Sequence, residues 1–206
     1  MENTNNTKNT RLRLIEAAGI LFAEHGFNKV TVRDIIAKAN THLSALNYHF
    51  NSKNELYKAV VLEACKVTIT KAKDMEYLLN IDKIDALTLI VSETLKAYNE
   101  RNENNWQYTL ISREYWEPSK FFDEVANNYL IPEINFICEI IAKIANKSSD
   151  DYSVKFAALS LLGLEETFSF YKPLINAVAP GLEEHGKINN WLVNKIVSMT
   201  IHSAKE

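Results

Sequence analysis

The stretch HLSALNYHFNSK, residues 42–53, carries two histidines, two asparagines, a tyrosine and a lysine, and it offers no clean apolar face. Its side chains suit hydrogen bonding and charge rather than bond cleavage. His42 and His49 stand seven residues apart with no Cys or acidic ligand nearby, so their spacing makes no metal site. Elsewhere the chain has no Gly-rich phosphate loop, no G-x-S-x-G elbow and no H-E-x-x-H pair. The expectation is a binding protein, not an enzyme, with no cofactor and no metal; a helical interaction adaptor is the competing reading.

Charge distribution narrows the ligand. The 206 residues sum to −3, which alone argues against a polyanionic partner. Residues 1–60, however, hold eight Lys or Arg against five acids, leaving the remainder at −6. A basic end on an acidic body would present only that end to nucleic acid.

The elements that must position these groups are helices. Five glycines and four prolines punctuate the chain, 47% of it is hydrophobic, and apolar residues recur at spacings of three and four. The first nine residues, polar and rich in Asn and Thr, are expected to form a disordered tail. No apolar run reaches the roughly 18 residues needed to cross a bilayer, so no membrane partner and a cytoplasmic location are expected. Cys65 and Cys138 then read as two reduced, mostly buried thiols.

From Thr10, a plausible N-cap, Leu14, Ala18, Leu21 and Phe22 make an apolar stripe, and Gly26 can close that helix in a left-handed conformation. Thr31-Val32-Arg33-Asp34 has the form of a capping box with Asp for Glu, which starts a second helix. That helix lasts barely two turns before Asn40, the residue other than Gly that best tolerates a left-handed turn. A third helix runs from His42 to about Phe50, and Ser52 can cap the next. Two short helices joined by a tight turn and braced by a longer one form a helix-turn-helix, whose second helix fits the major groove. Thr31 and Lys53, each at a helix start, suit phosphates, and Tyr48 and His49 are assigned there too.

The order Leu14-Ile15, Ala17-Ala18, Leu21-Phe22, Gly26-Phe27, Thr31-Val32-Arg33-Asp34-Ile35, Asn47-Tyr48-His49-Phe50, Ser52-Lys53 and Leu56 resembles the N-terminal domain of TetR/AcrR-type transcriptional regulators. Two departures fall inside the motif: Asn40-Thr41-His42 stands where the family usually has Gly-Val-Ser, and Asn47 where it usually has Tyr. His is an uncommon N-cap, so the turn is expected to survive with a less well-capped third helix. Asn-Tyr-His-Phe is similar to the CecR-like branch. So are Ser112 to Ser119, Phe122-Asp123, Pro132, Leu161-Leu162-Gly163 and Phe170 to Pro173.

The resemblance implies an all-α fold of about nine helices: an N-terminal helix-turn-helix domain at 10–51 and a larger ligand-binding and dimerisation domain at 52–206. It implies double-stranded operator DNA as partner, with Arg33 reaching a base and with Leu43, Ser44, Ala45 and Asn47 facing the groove beside His42. Asn47 would bond adenine, Arg33 would prefer guanine, and Leu43 or Ala45 would lie against a thymine methyl. Leu43 also fits a core stripe with Leu46 and Phe50, and the sequence leaves both readings open.

Beyond Ser52, six helices are expected at roughly 52–79, 83–101, 104–117, 119–146, 151–174 and 185–204, the fourth kinked by Pro132. Tyr98, Trp106, Tyr108, Tyr115, Tyr129 and, later, Phe168 could fill a core or line a pocket for an unknown small-molecule effector, which the resemblance favours. Leu161, Leu164 and Phe168, then Trp191, Leu192, Ile196 and Met199, continue helical stripes. By resemblance these pack against their twins in a homodimer; the alternative is that they close the monomer core. Repression relieved by the effector is the mode that the resemblance implies.

Overall fold

The computed structural model describes residues 2–68, 72–99, 105–180 and 190–206. Among these it contains eleven α-helices, one 3-10 helix, one π turn and no strand. The all-α expectation stands, with two more α-helices than the nine expected. The extra elements arise where three long helices are broken. The expected helix 52–79 becomes α4 (Lys53–Thr68) and a 3-10 helix (Ala72–Asn80); 119–146 becomes α7 (Phe122–Val125), a π turn (Ala126–Leu130) and α8 (Ile131–Ala145); 151–174 becomes α9 (Tyr152–Phe170) and α10 (Lys172–Val178). The remaining elements are α1 (Glu2–His25), α2 (Val32–Lys38), α3 (Leu43–Phe50), α5 (Lys83–Asn99), α6 (Trp106–Trp116) and α11 (Asn190–Lys205). The expected start of that last helix, at 185–189, lies outside the described residues.

Pro132 accounts for one of the breaks. It has no N–H to donate to the carbonyl four residues back, at Asn128, and its ring crowds that oxygen. The helix responds by widening into the π turn just before it, and Pro132 then occupies the first turn of α8, where a missing donor costs nothing.

At the front, α1 begins at Glu2, ahead of the expected Thr10 cap. Extending a helix already nucleated by packed turns fixes one residue for each hydrogen bond gained, so even an Asn- and Thr-rich segment can continue it. The packed turns are those of Leu14, Ile15, Ala17, Ala18 and Phe22, all buried.

The chain divides into two compact units, Met1–Thr70 with Asn102–Tyr129, and Lys71–Arg101 with Leu130–Glu206. The unit holding α2 and α3 is therefore larger than 10–51, because α4, α6 and α7 pack into it. Its centre is a triangle of rings: Tyr57 of α4 meets Phe22 of α1 edge-on at 4.9 Å and Phe27 of the following loop at 4.9 Å. A Lys58–Glu124 ion pair of 2.7 Å ties α4 to α7.

The second unit packs α5, α8, α9 and α11 around Leu87, Val91, Phe136, Ile140, Ile141, Val154, Leu161 and Ile196. α9 is started by Asp151, whose side chain accepts from the Ser153 N–H at 2.8 Å. Asn146, in the left-handed conformation, ends α8. Both cysteines are buried, and burial pushes the Cys138 thiol up. Among the described residues no helix is long and apolar enough to cross a membrane, and no group of three His, Cys, Asp or Glu could hold a metal ion.

Candidate nucleic-acid interface

The interface is built by two short helices whose ends are set by local chemistry. Thr31 and Asp34 form a complete capping box: the Asp34 N–H donates to Thr31 Oγ1 at 3.2 Å and the Thr31 N–H donates to Asp34 Oδ2 at 2.9 Å. The Thr31 hydroxyl also donates to Asp34 Oδ2, at 2.7 Å. These bonds hold the Asp34 carboxyl below its ordinary value. They also make Thr31 the residue that starts α2.

Asn40 takes the turn with φ 47°, as its type suggested. His42 occupies the N-cap position of α3 in an extended conformation, but its side chain makes no capping bond. α3 forms despite this because Leu46 and Phe50 are buried, and each such burial contributes about 1.5–3 kcal/mol, more than the ~1 kcal/mol of a typical lost cap.

That anchoring fixes what α3 shows outward. His42, Ser44, Asn47 and Tyr48 are exposed, while Ala45 and His49 are half-buried. Leu43, which the sequence could place on either face, is 52% exposed and does not join Leu46 and Phe50 in the core. Tyr48 and His49 stack edge-on at 5.1 Å, which orders a pair that would otherwise sample many rotamers. Arg33 is exposed on α2.

Lys53, at the start of α4, is half-buried with Nζ 4.2 Å from the centre of the Phe27 ring. Burial lowers its pKa from the usual lysine value. Sequence reasoning missed Arg11, whose guanidinium lies 5.2 Å over the ring of Phe50 at the end of α3. Its position on what looked like an ordinary solvated face of α1 gave no signal, because only the fold brings it to α3.

The effector residues fall in both units. Trp106, Tyr108, Tyr115 and Tyr129 belong to the first, and Tyr98 and Phe168 to the second. The side chain of Tyr98 lies outside the described residues. Trp106 is buried, and its ring lies where a Cβ on Gly19 would approach within 2.5 Å, so it packs α6 against α1. Tyr108 and Tyr129 are half-buried, Tyr115 is exposed, and Phe168 packs against the second core.

Of the residues expected at a dimer interface, Leu161, at 1% exposure, Leu192 and Ile196 are buried in the chain's own core. Leu164 and Phe168 lean on that core. Trp191 and Met199 are exposed, and so is an apolar row that the sequence reading passed over, Tyr152, Phe156 and Leu159 on α9.

Comparison with known proteins bears on both ends of the chain. Residues 14–60 match the family described as bacterial regulatory proteins, tetR family, and residues 84–190 match the C-terminal domain of the HTH-type transcriptional dual regulator CecR. A 54-residue segment is 41% identical to the "Probable acrEF/envCD operon repressor" of Escherichia coli K12, covering 26% of this chain and 24% of that one. The match therefore spans about a quarter of that relative's length. In structure, HlyIIR, a hemolysin II transcriptional regulator, superposes with a TM-score of 0.63 at 18% identity, covering 94% of this chain and 97% of its own. A gamma-butyrolactone receptor (ArpA-like protein) gives 0.55 at 18% identity over 97% and 98%. At these identities the likeness is one of fold, and it agrees with the two family matches, which between them run from residue 14 to residue 190: the chain belongs to the TetR family of bacterial regulatory proteins.

Proposed function

We propose that the chain is a sequence-specific DNA-binding transcriptional regulator, most simply a cytoplasmic repressor, that binds a partly palindromic operator as a homodimer and leaves it when a small molecule binds. The observation that carries this is α3: Leu46 and Phe50 are buried on one side, and Leu43, Ser44, Asn47 and Tyr48 are left exposed, with Arg33 exposed on α2 and Lys53 at the start of α4. Such a face combines base-reading groups with phosphate-holding ones, which is the division of labour that DNA recognition requires. In this reading the head at 10–51 reads DNA, with His42, Leu43, Ser44, Ala45, Asn47 and Arg33 toward base edges and Thr31, Tyr48, His49 and Lys53 toward the backbone.

Residues 52–206 carry ligand binding and dimerisation. Two-fold pairing would present two heads at a fixed spacing, and an effector that favours another spacing would shift the population away from DNA. A protein of the same fold is named as a receptor for a gamma-butyrolactone, which supports a small organic effector as the class to screen. The test is footprinting on genomic DNA around the chain's own gene, with and without candidate ligands. A protected palindrome that a ligand clears is the expected result, and no protected site anywhere overturns the reading.

A further inference from the structure

Adjacent residues of α6, neither of them among the DNA-facing groups, hold the reading head from behind. Arg113 Nη2 donates to the carbonyl of Ala23 at 3.3 Å. That oxygen is one of the last four of α1, which have no donor within their own helix, and a cation there also meets the negative end of the helix dipole. Arg113 Nη1 lies 3.2 Å from where a Cβ on Gly26 would stand, and Gly26, at φ 77°, is the residue that turns the chain out of α1. Glu117, one helical turn on, holds the guanidinium by an ion pair of 3.2 Å.

Glu114 holds the other side. It is 1% exposed, accepts the Tyr57 hydroxyl on Oε1, and accepts the Ser119 N–H on Oε2 at 3.1 Å. Burial, and then the Glu114 carboxylate, push the Tyr57 pKa up, so its hydroxyl stays a donor. The Tyr57 ring packs on Phe27, and Phe27 carries Lys53 on its face. The two grips thus converge on consecutive residues, Gly26 and Phe27, at the start of the loop that leads to Thr31 and α2.

We propose that Arg113 and Glu114 are positioning residues for DNA reading: together they fix the Gly26-Phe27 corner, and through it the entry into α2. The proposal rests on the DNA-binding reading above.

The test uses the full-length protein and three variants, Tyr57→Phe, Arg113→Met and Lys53→Ala, titrated with operator and with non-operator DNA over a salt series. Tyr57→Phe removes one hydroxyl and keeps the ring, so it guards against a variant that fails to fold; helical content and melting temperature are recorded for all. Loss of positioning predicts that Tyr57→Phe and Arg113→Met weaken operator binding by roughly two- to thirty-fold, leave non-operator affinity unchanged and leave the salt slope unchanged. Lys53→Ala, by contrast, lowers the slope by about one and weakens both DNAs. Equal loss on both DNAs, a reduced slope in the Tyr57 or Arg113 variants, or unaltered operator affinity in folded protein would each overturn the proposal. Wild-type protein that binds no DNA would instead overturn the function on which it rests.

Discussion

Asn47 and Lys53 sit six residues apart and are asked to do different things. Asn47 is exposed on α3 and can satisfy adenine through donor and acceptor together, so its removal should change which operator is preferred. Lys53 offers a point charge steadied by the Phe27 ring, so its removal should weaken every sequence and release one fewer counterion. Binding measured against a panel of operator variants at several salt concentrations separates the two. Asn47→Ala should flatten discrimination at one base pair by about 1–3 kcal/mol with the slope unchanged, and Lys53→Ala should do the reverse. Uniform loss in both variants would sink the assignment. Much of this was legible in the residue types, because donors, acceptors and charges declare their partners. The exposure of Leu43 was not: Leu43, Leu46 and Phe50 satisfy a helical period equally well, and only the position of α3 against its neighbours decides which of them the core takes. Thr31 was legible in a different way, as the cap of α2, and its hydroxyl is engaged in that capping box.

The ends of α2 test how far local chemistry governs an element. A helix of seven residues gains little from propagation, so its cap is a large share of what holds it. Thr31→Ala should cost about 1 kcal/mol of stability, read as a lower urea midpoint with an unchanged m-value. The same box carries a pH signature. Hydrogen bonds from the Thr31 side chain and backbone hold the folded-state pKa of Asp34 below its unfolded value. The contribution is therefore complete above the ordinary carboxylate range and is lost as pH falls through the lower folded value. Thr31→Ala should blunt that acid loss; a variant whose acid unfolding tracks the wild type would show that the box does not stabilise α2. Caps and turns such as Thr31, Asn40 and Gly26 could be read in the sequence because each depends on residues within one turn. The π turn ahead of Pro132 could be read only as a kink, since how a helix accommodates a proline depends on what packs around it. The early start of α1 could not be read at all, because residues 2–9 continue a helix whose stability comes from residues 14–22.

At the scale of the molecule, periodicity located the buried stripes of α9 and α11 but could not say what buries them. Leu161, Leu192 and Ile196 are covered by their own chain, and the opposite face of α9 is left with Tyr152, Phe156 and Leu159 at spacings of four and three. In the proposed homodimer these three large apolar side chains, with the exposed Trp191 and Met199, form the face that meets a twin. The contrast gives a prediction with two arms. Phe156→Glu changes a side chain that is 64% exposed, so it should leave helical content and melting temperature nearly intact while converting dimer to monomer in analytical ultracentrifugation. Operator affinity should fall with it, because a single head forfeits the second half-site. Leu161→Glu places a carboxylate in a closed core and should unfold the second unit outright. A folded, dimeric Phe156→Glu protein would show that α9 pairs with nothing. A Leu161→Glu protein that stayed folded but became monomeric would return the interface to the stripe that periodicity first suggested.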